Sequence, residues 1–114
     1  MKTVFLALCT PGKHWVAGQP MQEQPFWAAH ASFMHALFES GHLLFGGPLP
    51  EAPGRFVLVV AAAERSDVFA LLCQDPWTSN EVMKVEAVHA WEWTMNMGAQ
   101  RSKPRAVAKR AASN

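Results

Sequence analysis

Two helix-period segments alternate with four apolar or alternating runs in the order β-α-β-β-α-β. That order predicts an α+β fold of the ferredoxin-like kind, an antiparallel sheet with two helices on one face. Two further observations support it. The chain has 114 residues, one domain's worth, and half of them are hydrophobic while only 17% are charged. One run, RFVLVVAA from Arg55 to Ala62, is apolar at nearly every position, so both faces of the sheet need cover. Helices cover one face. A second copy of the chain is the simplest cover for the other, so a homodimer is expected.

Thr3 to Cys9 is a short apolar run ended by Thr-Pro-Gly turn chemistry, and it reads as strand one. Its apolar core, Val4 to Cys9, is shorter than the roughly 7–15 residues of a secretory h-region, so a strand is expected rather than a leader. Lys13 to Gln24 holds Gly18, Pro20 and several polar groups and reads as a loop, with Trp15 as its apolar contact residue. Helix one is predicted over 25–40. Pro25 suits the first turn, where its missing N–H costs nothing. Phe26, His30, Phe33, Met34 and Leu37 share one face, and Gly41 supplies the stop.

Strand two is predicted from His42 to Phe45, closed by a Gly46-Gly47-Pro48 turn and a Pro-rich connection to strand three. Ser66 and Asp67 form a helix start, a hydroxyl cap followed by a carboxylate near the positive end of the dipole. Helix two then runs to Gln74 with Val68, Leu71 and Leu72 as its stripe, limited by Pro76. Trp77 to Val82 reads as a loop or a single helical turn. Lys84 to Met95 alternates and reads as strand four, with Val85, Ala87, His89, Trp91 and Trp93 on one covered face.

The net charge of +1 is unevenly spread. Arg101, Lys103, Arg105, Lys109 and Arg110 stand in a segment without acids, which leaves five basic and nine acidic residues, a net of −4, in residues 1–98. A folded domain over 1–96 and a flexible basic tail over 97–114 are expected. The acidic body argues against nucleic-acid binding, which needs a basic face. The tail alone retains that possibility, as a tether to an acidic partner. No run approaches the ~18 apolar residues of a membrane span, so no membrane association is expected. Cys9 and Cys73 lie in apolar runs without C-x-x-C spacing and read as free thiols of a reducing, cytoplasmic compartment.

No metal is expected. His30 and His35 are five apart and fall on different helix faces, unlike a zinc-binding i, i+4 pair. No cofactor is expected either, because the Gly-Gly pair lacks the following Lys-Ser/Thr of a phosphate loop. His14, His35 and His42 read as exposed or loop-edge residues. His89 reads as packing on the Trp-bearing face, with a pocket wall as the alternative.

The segment AHASFMHALFESGHLLFGGPLP, followed by a β-rich run and ALLCQDPW, resembles the YCII-related family of small proteins. The matching pieces are His30, Gly41, Gly46-Gly47-Pro48 and Asp75-Pro76-Trp77, in order, and the resemblance covers residues 1–96. It implies a ferredoxin-like fold that dimerises sheet against sheet, as in dimeric α/β barrels. It also implies a His30–Asp75 pair engaged in catalysis on a small molecule. Most of the family has no settled activity. One branch is associated with dehydrochlorination of aromatic compounds, an activity that the resemblance does not by itself carry over. Relatives often place a basic or polar residue where this chain has Phe26-Trp27, which speaks against an anionic substrate.

Under that resemblance Asp75, placed after helix two, orients one imidazole nitrogen of His30, on the neighbouring helix, and leaves the other to move a proton. The alternative is a structural bond that satisfies a buried ring. Asp75 alone also reads as an ordinary turn residue before proline. Trp27 and Trp77 flank the pair in sequence and are candidate pocket walls, as are Gly46, Gly47 and Pro48 if a ligand approaches the backbone there. Ser32 and Ser79 stand in no nucleophile motif, so proton transfer is favoured over covalent catalysis.

Overall fold

A computed structural model describes residues 3–94 of the chain. The expected tail over 97–114 lies outside the described residues. The elements are β1 (Thr3–Pro11), α1 (Trp27–Glu39), β2 (Leu43–Pro48), β3 (Phe56–Ala62), α2 (Arg65–Leu72), α3 (Pro76–Ser79) and β4 (Met83–Ala90), with one 3-10 turn at Met21–Glu23 between β1 and α1. The strands form a single sheet in the order β2-β3-β1-β4, with every neighbouring pair antiparallel. This is the ferredoxin-like arrangement anticipated above, with the second helix split in two.

Alternate residues of the two central strands build the core. Phe5, Ala7 and Cys9 of β1 and Phe56, Leu58, Val60 and Ala62 of β3 face the helices, where Leu37, Val68, Leu72 and Trp77 meet them. The intervening residues, Val4, Leu6 and Leu8 with Val57, Val59 and Ala61, form an apolar, helix-free face. Trp93, just past β4, packs against Phe45 of β2 with ring centroids 6.1 Å apart. β2 and β4 are opposite edges, so the chain leaving β4 crosses the helix-free face.

The end of α1 follows from its glycine. Gly41 has φ 85°, and the His42 and Gly41 N–H groups donate to Leu37 O (3.0 Å) and Phe38 O (3.1 Å), the paired bonds of a Schellman stop. Its start differs from the prediction. Pro25 lies outside the helix, because Phe26 adopts the left-handed conformation (φ 64°) and turns the chain into the first helical residue, Trp27. Helix α2 begins earlier than Ser66. Glu64 is its N-cap, and the Asp67 carboxylate accepts from the Glu64 N–H at 3.0 Å, so Asp67 caps from within the first turn.

Two strand expectations are corrected. Gly46-Gly47-Pro48 does not turn the chain but continues β2, paired with Leu58, Val57 and Phe56. A Cβ on Gly46 would stand 2.7 Å from Val57 O and 2.8 Å from Leu58 Cδ2, so the close strand approach needs a glycine there. Pro48 is tolerated at the end of an edge strand. The reversal falls later, where Leu49 N–H donates to Arg55 O (3.0 Å) and Gly54 has φ 81°. Strand four ends at Ala90 rather than Met95, and its register with β1 shifts by a bulge between Leu8 and Cys9. The bulge breaks the alternation: Val85 opposes core-facing Cys9, whereas Ala87 and His89 oppose Leu8 and Leu6 on the helix-free side.

Candidate active site at the start of helix α1

His30 lies one turn into α1 on its buried stripe, as the 3.6-residue spacing requires. Its Nδ1 donates to both oxygens of Asp75, at 2.8 Å to Oδ2 and 3.0 Å to Oδ1. Asp75 has no solvent exposure, and His30 is 8% exposed. Asp75 is the N-cap of α3, so its Oδ1 also accepts from the Trp77 N–H at 2.9 Å. Pro76 at the first position of that short helix forces the residue before it into extended backbone, which aims the carboxylate back at α1. A carboxylate only accepts, so the proton on this bond belongs to His30 Nδ1. In the neutral ring Nε2 is then the acceptor.

Trp77 completes the support. It is fully buried, and its indole stacks on the His30 ring with centroids 3.7 Å apart and planes within 10°. Its Nε1 donates to Pro25 O at 2.7 Å, which pins the chain just ahead of α1. Trp15 meets the same indole edge-on at 5.7 Å, and Trp27 and Phe56 pack on it at 5.8 Å and 5.7 Å. The imidazole is therefore held by a carboxylate at one edge and an indole on one face, with little freedom to rotate.

His30 also borders a groove of ≈ 320 Å³ between α1 and the β2 edge of the sheet. Trp27, His30, Gly46, Gly47 and Pro48 all line it, together with Met21, Met34, Leu43 and Met83 among others. Among the described residues His30 is its one titratable side chain, and no Lys, Arg, Asp, Glu, Ser, Thr or Cys lines it. Asp75 and Trp77 stand behind His30 rather than in the wall. His89 does not line the groove as the alternative reading had it: the β4 bulge puts it, exposed, on the helix-free side.

Cys9 sits behind the pair in the core. Burial, reinforced by the charge of Asp75, pushes its thiol up to about 12 from an ordinary 9.0, so it stays protonated and unreactive. Cys73 is exposed, and neither cysteine is bonded. His14 donates from Nδ1 to Asn80 O (3.0 Å), and His35 lies 3.7 Å from Glu39 on the exposed side of α1. Among the described residues no cluster of His, Cys, Asp and Glu converges as a metal site would. No described helix is long and apolar enough to cross a membrane.

One residue escaped sequence reasoning. Gln24, placed in the loop, is buried at 3% exposure, and its amide engages Val16 N–H, Val16 O and Gln19 O. Only a lone polar residue beside Pro25 marks it in the sequence.

No protein-family model matches the chain, and no curated protein matches it. Among solved structures the chain is similar to 5-chloro-2-hydroxyhydroquinone dehydrochlorinase (TftG) from Burkholderia phenoliruptrix AC1100 in complex with 2,5-dihydroxybenzoquinone. The likeness has a TM-score of 0.54 at 19% sequence identity and covers 82% of this chain and 95% of that one. At that identity the two share a fold.

Proposed function

We propose that this protein is an enzyme that performs general acid–base chemistry on a small organic molecule, with His30 moving the proton and Asp75 orienting it. The observation that carries this reading is the arrangement of His30: Nδ1 is committed to a buried carboxylate, and the residue also borders an open apolar groove. Nε2 takes a proton from a substrate O–H or C–H and returns it to product or water. The Asp75 carboxylate offsets the positive charge that reaches the ring during that transfer. With no Ser, Thr, Cys or Lys among the described residues of the wall, none of those residues offers a nucleophile for a covalent intermediate.

The groove also narrows the substrate. Its volume lies at the small end of ligand pockets, roughly 300–1,000 Å³, and suits a single ring. Among the described residues its wall of methionine, aromatic and glycine side chains has no Lys, Arg, Asp or Glu, which favours a flat neutral molecule over a carboxylate or phosphate. The fold neighbour is a dehydrochlorinase bound to a dihydroxybenzoquinone. A hydroxylated ring of that general kind is our first candidate here. We read His30, Gly41, Gly46-Gly47-Pro48 and Asp75-Pro76-Trp77 as a resemblance to the YCII-related family, and the apolar helix-free face supports a homodimer formed sheet against sheet.

The test is a thermal-shift screen of hydroxylated and quinoid single-ring compounds against wild type and His30→Ala. Compounds that stabilise wild type and not the variant support the reading; equal stabilisation of both, or none of either, overturns it. A second reading rests on Asp75 tying α1 to α3 through His30 and Trp77, which would be a structural task in a non-catalytic ligand-binding module. Deuterium exchange from solvent into a bound compound, followed by NMR, separates the two: exchange that requires His30 is catalysis, and binding without exchange is the module.

A further inference from the structure

We infer that Gln24 is a positioning residue that holds one wall of the groove over His30, so that the 16–24 loop sets access to the imidazole. This rests on the reading of the groove as the functional site. The loop holds one short helical turn, Met21–Glu23, and no strand, yet it closes on itself. Gln24 Oε1 accepts from Val16 N–H at 2.8 Å, while its Nε2 donates to Val16 O at 2.8 Å and to Gln19 O at 2.9 Å. One buried amide thus satisfies three backbone groups that the loop would otherwise leave unpaired, and joins both ends of the segment.

The ring so formed is anchored on the residue that supports His30. Trp15, just before it, packs on Trp77 at 5.7 Å. Pro25, just after it, accepts from Trp77 Nε1 at 2.7 Å. Between these anchors the 3-10 turn lies against α1 and presents Met21 to the groove beside Trp27 and His30. Phe26 then takes the left-handed conformation, costly for a residue with a Cβ, which persists where its surroundings over-determine it. Gln24 and Pro25, each held by the bonds above, immediately precede it in the chain. With the amide removed, the ring opens, Met21 leaves the wall and the His30 ring gains solvent, whereas its contacts with Asp75 and Trp77 persist.

Carbethoxylation by diethyl pyrocarbonate, followed residue by residue by mass spectrometry, reads this without a ligand. His35, on the exposed side of α1, is the internal reference. In Gln24→Ala the rate at His30 relative to His35 should rise about tenfold, the opening expected when a wall loses its local hydrogen bonds. Gln24→Glu keeps the acceptor for Val16 N–H but no donor for the two carbonyls, and should show a smaller rise. It decides the matter if the alanine variant fails to fold. Met21→Ala, with the ring intact, should also expose His30. An unchanged His30 ratio in the folded variants overturns the proposal, as does an equal rise at every histidine, which would mark general loosening. Ligand binding lost in His30→Ala is read separately, so a groove that binds nothing would not be mistaken for a wall that does not close.

Discussion

His30 Nδ1 lies 2.8 Å from Oδ2 of Asp75, a residue 45 positions further along the chain and wholly buried. The pair joins the first turn of α1 to the cap of α3, and His30 also lines the groove. Stability and the proposed chemistry therefore involve the same two side chains and should respond differently to substitution.

Asp75→Ala removes the acceptor of two buried donors, His30 Nδ1–H and the Trp77 N–H. At roughly 1–3 kcal/mol for each orphaned group, unfolding free energy should fall by about 3 kcal/mol in a urea titration. Asp75→Asn is the more telling variant. Its carbonyl oxygen keeps the bond to Trp77 N–H, and its amide donates to His30 Nδ1, so the loss of stability should be about 1 kcal/mol. The neutral ring must then carry its proton on Nε2. Long-range ¹⁵N correlation spectra should show protonated Nε2 in the variant and protonated Nδ1 in wild type, with any His30-dependent exchange lost.

Cys9 and Cys73 should differ sharply in reactivity. The buried Cys9 thiol, pushed up to about 12, should resist iodoacetamide in the native state while exposed Cys73 is alkylated. The same shift has a consequence for stability. The unfolded thiol ionises near 9.0 and the folded one near 12, so the folded state holds the extra proton in between. The Cys9 contribution is undiminished below pH 9.0 and falls as pH rises from there towards 12. A Cys9→Ala variant should lose less stability over that window than wild type does, by urea titration at pH 8 and pH 10.

The helix-free face carries the proposed dimer. Wild type should sediment at twice the chain mass. Leu6→Lys puts a charge among Val4, Leu8, Val57 and Val59 on that face, on the side of the sheet away from His30. It should yield a monomer. A wild-type monomer in sedimentation velocity would remove the dimer and leave the groove untouched.

The residues differ in how much of this they revealed by themselves. His30 was placed on the buried stripe of α1 by spacing alone, and Gly41 was readable as a stop, because both depend on the local geometry of one helix. Gly46-Gly47-Pro48 reads as a turn in the sequence and is strand in the structure, because two glycines and a proline carry the same local chemistry in a turn as in a strand crowded by its neighbour. His89 moved to the other side of the sheet, because a single bulge against β1 inverts every later side chain in β4. Gln24 left no pattern at all, since its partners are backbone groups that any residue supplies.

The sequence by itself determined the order of elements, the apolar strands and the helix face on which His30 stands. These follow from hydrophobic period and turn chemistry, which act over a few residues. The family resemblance named Asp75 as the partner of His30; only the tertiary structure decided that the carboxylate meets Nδ1, that Trp77 lies beneath the ring instead of in the wall, and that the described residues of the groove include no Lys, Arg, Asp or Glu. Those are relations between α1, α3 and β2, set by sheet register and by how far each helix runs before its cap. Such long-range register is absent from any local pattern, and it brings His30 both to Asp75 and to the groove.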